Sequence, residues 1–104
     1  MPPRYRILIQ PRALNDLVAI CAYIQKNSPQ NAATIADELL DAIDSLDFLP
    51  RRCKIHRSHR NPKLIVRSMS IRPFIIYYRV SERQKSVDII AVIHGARIQP
   101  REFD

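Results

Sequence analysis

The chain has 104 residues, a single glycine, two cysteines and a formal charge of +7, from 17 basic and 10 acidic side chains. That length holds one domain, residues 1–104, and a hydrophobic content of 46% excludes a disordered chain. No apolar run approaches the roughly 18 residues that cross a bilayer, and the excess of cations points to an anionic partner, a nucleic acid or an acidic protein.

In chain order, Tyr5–Gln10 alternates Tyr5, Ile7 and Ile9 against Arg6, Leu8 and Gln10, the pattern of a first strand. Pro11 ends it and suits the first turn of a helix. Leu14, Leu17, Val18, Cys21 and Ile24 then recur at helical spacing, which predicts a helix buried on that face, closing at Lys26-Asn27. Ser28-Pro29 reads as an N-cap followed by proline. The second helix places Ala32, Ile35, Ala36, Leu39, Ile43 and Leu46 on one face and ends at Leu49-Pro50. So short a connection predicts an antiparallel helical hairpin.

Residues 51–63 have no period and read as an exposed basic loop. Three strands follow, Leu64–Ile71, Phe74–Val80 and Ser86–Ile93, joined by turns at Arg72-Pro73 and Ser81–Lys85 and predicting an antiparallel meander. The order is β-α-α-β-β-β, an α+β domain with an antiparallel sheet on a helical hairpin. A short polar tail is expected at 98–104. Gly95, just past the last strand, is expected to supply a positive φ.

Charge is distributed unevenly. From Phe48 to Ser81 there is no acid but nine cations, while Asp37, Glu38, Asp41, Asp44 and Asp47 gather on the second helix and just beyond it. Cys53, His56 and His59 have a metal-like spacing, but four ligands are the rule for structural zinc and the surrounding cations repel a dication, so no metal is expected. The lone glycine excludes a Gly-rich phosphate loop, and no Gly-x-Ser-x-Gly motif occurs. The remaining chemistry is a cationic sheet: Arg67, Arg79 and Arg97 with Tyr77, Tyr78 and His94. Such groups can bind phosphates, or stabilise a phosphorane with a histidine as acid or base. Two unframed cysteines suggest free thiols, and the opening Met-Pro-Pro-Arg-Tyr-Arg lacks the apolar stretch of a secretory signal. A cytoplasmic location is therefore expected.

The order of elements, the run Phe74-Ile-Ile-Tyr-Tyr-Arg-Val80 and the ending Val87-Asp-Ile-Ile-Ala-Val-Ile-His-Gly-Ala-Arg97 resemble the RelE/ParE superfamily of toxins in bacterial type II toxin–antitoxin modules, often labelled plasmid stabilisation proteins. The likeness runs from Tyr5 to Arg97. It implies one of two activities: inhibition of DNA gyrase without nuclease chemistry, as in ParE-like members, or ribosome-dependent cleavage of mRNA, as in RelE-like members. RelE-like nucleases typically follow the aromatic residue of the penultimate strand with arginine. Here Ile75 follows Phe74, and the preceding strand carries only Arg67 instead of lysines. The ParE-like branch is therefore expected, with the endoribonuclease as the alternative. The resemblance implies no cofactor. On the nuclease alternative Arg67, Arg79, His94 and Arg97 would be catalytic. Target contacts are expected from Arg67, Arg72, Tyr78, His94 and Arg97. A cognate antitoxin is implied as partner, folding a C-terminal segment onto the toxin, with Ile20 and Tyr23 as apolar anchors and Arg51, Arg52, Arg57 and Arg60 attracting its acids.

Overall fold

The computed structural model describes residues 4–97, so the polar tail expected at 98–104 lies outside the described residues. Chain order is β1 (Arg6–Ile9), α1 (Pro11–Asn27), α2 (Pro29–Asp44), β2 (Ile55–Arg57), β3 (Val66–Ile71), β4 (Phe74–Ser81) and β5 (Ser86–His94), with 3-10 turns at Ser45–Asp47, Pro50–Arg52 and Pro62–Leu64. The strands lie in the order β1-β5-β4-β3-β2.

The α+β class and the hairpin match the sequence reading, but the sheet is mixed and has five strands. β1 pairs with β5 in parallel; the α-hairpin and then β2, β3 and β4 form the long crossover between them that parallel neighbours require. The basic segment, expected to be a loop, contributes β2, antiparallel to β3. Leu64 belongs to the preceding 3-10 turn, so β3 starts two residues later than expected. β2 has only three residues and no alternation long enough to be visible in the sequence.

Single residues make the junctions. The Gln10 N–H donates to Ile89 O at 2.9 Å while its carbonyl accepts from Leu14 N at 2.9 Å, so one peptide closes the sheet and opens α1. Ser28 joins the helices: its N–H donates to Ile24 O at 2.7 Å and its carbonyl accepts from Asn31 N at 2.9 Å, whereas its side chain makes no cap.

The core lies between the helices and one sheet face. Ala13, Leu17 and Ile24 of α1 meet Ala32, Leu39 and Ile43 of α2, and both rest on Ile76, Tyr78, Val80, Val87, Ile89 and Val92. The α1 face expected from the sequence is rotated: Leu14 and Val18 are 52% and 62% exposed, and Ala13 and Ile20 take their place. Residues 17–24 of this helix are apolar without a break, so periodicity there permits either face. The observed rotation turns Asp16 toward the sheet, where its carboxylate accepts from the Val92 N–H at 3.0 Å. On the other sheet face Val66, Tyr77, Ile90, Ala91 and Ile93 are buried, and the His56 ring sits 4.7 Å from that of Tyr77.

A polar clasp ties β1 to the β4–β5 turn and the basic segment. The Tyr5 hydroxyl donates to the Glu82 carboxylate, 2.7 and 2.8 Å from its two oxygens, and Lys85 Nζ and Arg51 Nε approach it at 2.9 and 3.3 Å. The bonds from Tyr5 and Lys85 hold the Glu82 carboxyl below its ordinary range, and the same bond raises the Tyr5 phenol.

Candidate binding groove

A groove of about 630 Å³ opens between α1 and the adjoining ends of β4 and β5. Ile24, Ile35, Phe74 and Val92 supply apolar lining, Ile20 and Tyr23 stand beside them, and Asp16, His94 and Arg97 bring polar groups. Apolar lining with a few convergent polar groups is what a helical or small ligand requires. Tyr23 is 69% exposed, a large ring left outside the core.

His94 reaches this groove because β5 carries a bulge. Tyr77 pairs with Ala91 but Tyr78 pairs with Ile89, so Ile90 is an extra residue. Val87 and Ile89 face the helices before the bulge and Val92 faces them after it, while Ile90, Ala91 and Ile93 face the other way. Unbroken alternation would send His94 to the far face; the bulge returns it to the helix side, paired with Phe74 and edge-on to its ring at 5.5 Å. Its Nδ1 accepts from the Ala96 N–H at 3.0 Å, so the neutral ring carries its proton on Nε2.

Gly95 has no positive φ, contrary to expectation; the described residues with one are Leu49 (46°) and Lys85 (51°). Its role is close approach. Its N–H donates to Pro73 O at 2.7 Å, and a Cβ there would stand 3.2 Å from the same oxygen. This contact holds the end of β5 against the β3–β4 turn and so shapes the groove's rim.

The other expected site residues do not gather with His94 and Arg97. Arg67 shares the helix-side face with Met69 and Ile71, and its guanidinium donates to the carbonyls of Arg51 (3.1 Å) and Cys53 (2.8 Å). Arg79 lies between the core residues Tyr78 and Val80 and therefore faces the opposite side. It pairs with Asp88, six residues before His94, roughly 20 Å along the strand. The single cationic sheet face expected from the sequence is thus split. Tyr78 is fully buried, its hydroxyl donating to Pro50 O at 2.6 Å, and burial foremost pushes its phenol far up. It offers a target no surface, and its work is structural. Arg72 is exposed at the β3–β4 turn, at the groove's end of the sheet.

Of the residues expected to meet an antitoxin, Ile20 and Tyr23 line the groove. Arg51 is engaged by Glu82. Arg52 closes the preceding turns, donating to the carbonyls of Ser45, Phe48 and Leu49 at 3.3, 2.5 and 3.2 Å. Arg57 and Arg60 are exposed on and beside β2, at the far edge of the sheet from β1. Among the described residues no three His, Cys, Asp or Glu side chains converge as a metal site, and no helix is long and apolar enough to cross a membrane.

The sequence model of the ParE toxin of the type II toxin–antitoxin system parDE matches residues 7–99. The chain belongs to the ParE toxin family. Y4kP, a candidate toxin from Sinorhizobium fredii, is 33% identical over 98 residues, spanning 94% of this chain and 96% of its own length. The fold of this ParE-family toxin is shared by a chain of the chromosomal ParDE system of P. aeruginosa (TM-score 0.68, 19% identity, 88% of this chain and 96% of that one). It is also shared by a chain of the archaeal RelE–RelB complex of Pyrococcus horikoshii (0.65, 15%, 91% and 99%) and of the RelBE2 complex of Mycobacterium tuberculosis (0.57, 21%, 91% and 95%). This ParE-family toxin is thus a type II toxin of the wider ParE/RelE superfamily. Its groove also uses Asp16, which sequence reasoning missed; the available signal was an acid set directly against the apolar stripe of α1.

Proposed function

We propose that this toxin inhibits DNA gyrase in the cytoplasm and is neutralised by a cognate antitoxin, in a module of the plasmid-stabilising kind. The dispersal of the cationic residues carries the choice of target. A nuclease needs its groups around one scissile phosphate. Here His94 and Arg97 line the groove, Arg67 is spent on backbone carbonyls and Arg79 faces the other side. Ile75, standing where RelE-like nucleases carry arginine, packs against the apolar cluster of that far face. No nucleophile, base and phosphate clamp are assembled by this set, which favours inhibition by binding.

The antitoxin is assigned to the groove. An amphipathic helix laid along Ile20, Tyr23, Ile24 and Phe74 buries the exposed Tyr23 ring, and an acid on its flank meets Arg97. Likeness to chains from ParDE and RelBE complexes supports a partner of this kind.

Expression of the chain in bacteria tests the target. Filamentation with an SOS response and intact message is expected. Immediate translation arrest with mRNA cut at codon edges would replace this reading with the ribosome-dependent endoribonuclease.

A further inference from the structure

The nine cations of the acid-free stretch have different fates in the fold. Arg51, Arg52 and Arg67 are engaged by a carboxylate or by backbone carbonyls. Arg79 is half-buried in the sheet and Arg72 stands apart at the β3–β4 turn. The remaining four are all exposed: Lys54 just before β2, Arg57 at its end, and Arg60 and Lys63 in the segment and turn that follow it. No acid stands within ion-pair distance of Lys54, Arg60 or Lys63 among the described residues. The turn that presents Arg60 and Lys63 is internally braced: the Asn61 N–H donates to His59 Nδ1 and the Lys63 N–H to Asn61 Oδ1, each at 3.0 Å. Little backbone ordering is therefore needed at Arg60 and Lys63 when they meet a ligand.

We infer that β2 and the Pro62–Leu64 turn form a second binding surface, which grips the phosphate backbone of duplex DNA. Three observations select this ligand. The ten residues from Lys54 to Lys63 carry four exposed cations and no acid, the charge pattern that a phosphate backbone neutralises. Residues 54–64 contain no Phe, Tyr or Trp, and of their two histidines His56 packs on Tyr77 while His59 Nδ1 accepts from the Asn61 N–H, so the surface is poor in the rings on which single-stranded bases stack. A protein partner would find more apolar anchors in the groove, at the opposite end of the strands, than in the exposed Ile55 and Leu64 here: β2 pairs with the start of β3, whereas the groove takes the start of β4 and the end of β5. Contacts of this type read charge and not base sequence. The surface is independent of the gyrase reading, since it is measured on DNA alone.

The test titrates the full chain with a random-sequence DNA duplex at several salt concentrations. Two variants each remove three charges: Lys54→Ala/Arg60→Ala/Lys63→Ala on the surface, and Arg6→Ala/Lys26→Ala/Arg83→Ala elsewhere. The slope of log affinity against log salt is expected to fall by roughly 2 to 3 in the first variant. Affinity at low salt should drop at least about tenfold, with the second variant close to wild type. Equal losses in both variants would mean general charge attraction and overturn the proposal. So would tighter binding to single strands than to duplex, or an acidic polypeptide that binds the surface better than DNA. A surface variant that aggregates but keeps its DNA affinity would assign the cations to protecting the β2 edge instead.

Discussion

Tyr78 and Gly95 show how single atoms set this fold. The Tyr78 hydroxyl anchors the Pro50–Arg52 turn from inside the core through Pro50 O. Tyr78→Phe keeps the ring but strips that carbonyl of its donor, which should cost about 1–2 kcal/mol. In a domain of this size, calorimetry should show the melting temperature falling by roughly 4–8 °C for each kcal/mol. Gly95 tolerates no Cβ without movement of the Pro73 carbonyl. Gly95→Ala should lose about 1 kcal/mol and displace the end of β5, and with it His94, from the β3–β4 turn. An unchanged melting temperature would show that the Pro73 carbonyl yields freely. Neither role was legible in the sequence. Tyr78 reads there as one of two adjacent tyrosines, and strand alternation alone does not say which faces the helices when both faces of the strand are apolar. Gly95 was recognisable as special, but close approach and positive φ leave the same single-residue signature.

At the scale of elements, the sequence marked both helices and all the long strands, because each has six or more residues of clean pattern and proline or a polar run at its ends. It missed β2, which is too short to show a period, and misjudged the exposed side of α1, where residues 17–24 are apolar without a break. The β5 bulge was hidden for a related reason: Ile90 and Ala91 are both apolar, so an extra residue leaves the hydrophobic pattern intact. Yet the bulge unites residues that the sequence had assigned to different partners, Ile20 and Tyr23 on one side and His94 and Arg97 on the other. Tyr23→Asp should therefore weaken antitoxin binding at least about a hundredfold, a loss of some 3 kcal/mol typical of a central aromatic anchor, while the exposed side chain leaves stability nearly unchanged. Calorimetric titration with the cognate antitoxin measures it. Binding as tight as wild type would remove the antitoxin from this groove.

Across the whole molecule, the clasp on Glu82 joins the chain's beginning to the β4–β5 turn and makes stability depend on acid. Its folded-state pKa is depressed, foremost by the bond from Tyr5, so the unfolded chain takes up the proton more readily. The contribution is present above the unfolded value near ~4.3 and fades as pH falls through the lower folded value. Glu82→Gln should be less stable than wild type at pH 7, and the gap should close in denaturant titrations as the pH falls below about 4. A constant gap would mean that the clasp acts through shape alone.

The cationic excess is the most legible global feature in the sequence and also the most misleading, because charge counts do not say which face a side chain takes. Arg67 and Arg79, adjacent in the expected platform, are separated by the sheet itself, and four cations of the acid-free stretch stand exposed on and beside β2 instead. Inhibition by binding, and not cleavage of a phosphodiester, is what this distribution supports. The direct measurement is supercoiling by purified gyrase in the presence of the purified toxin. Loss of supercoiling, restored by stoichiometric cognate antitoxin and accompanied by no mRNA cleavage on programmed ribosomes, is the expected result. Full gyrase activity beside ribosome-dependent cutting of message would contradict the account.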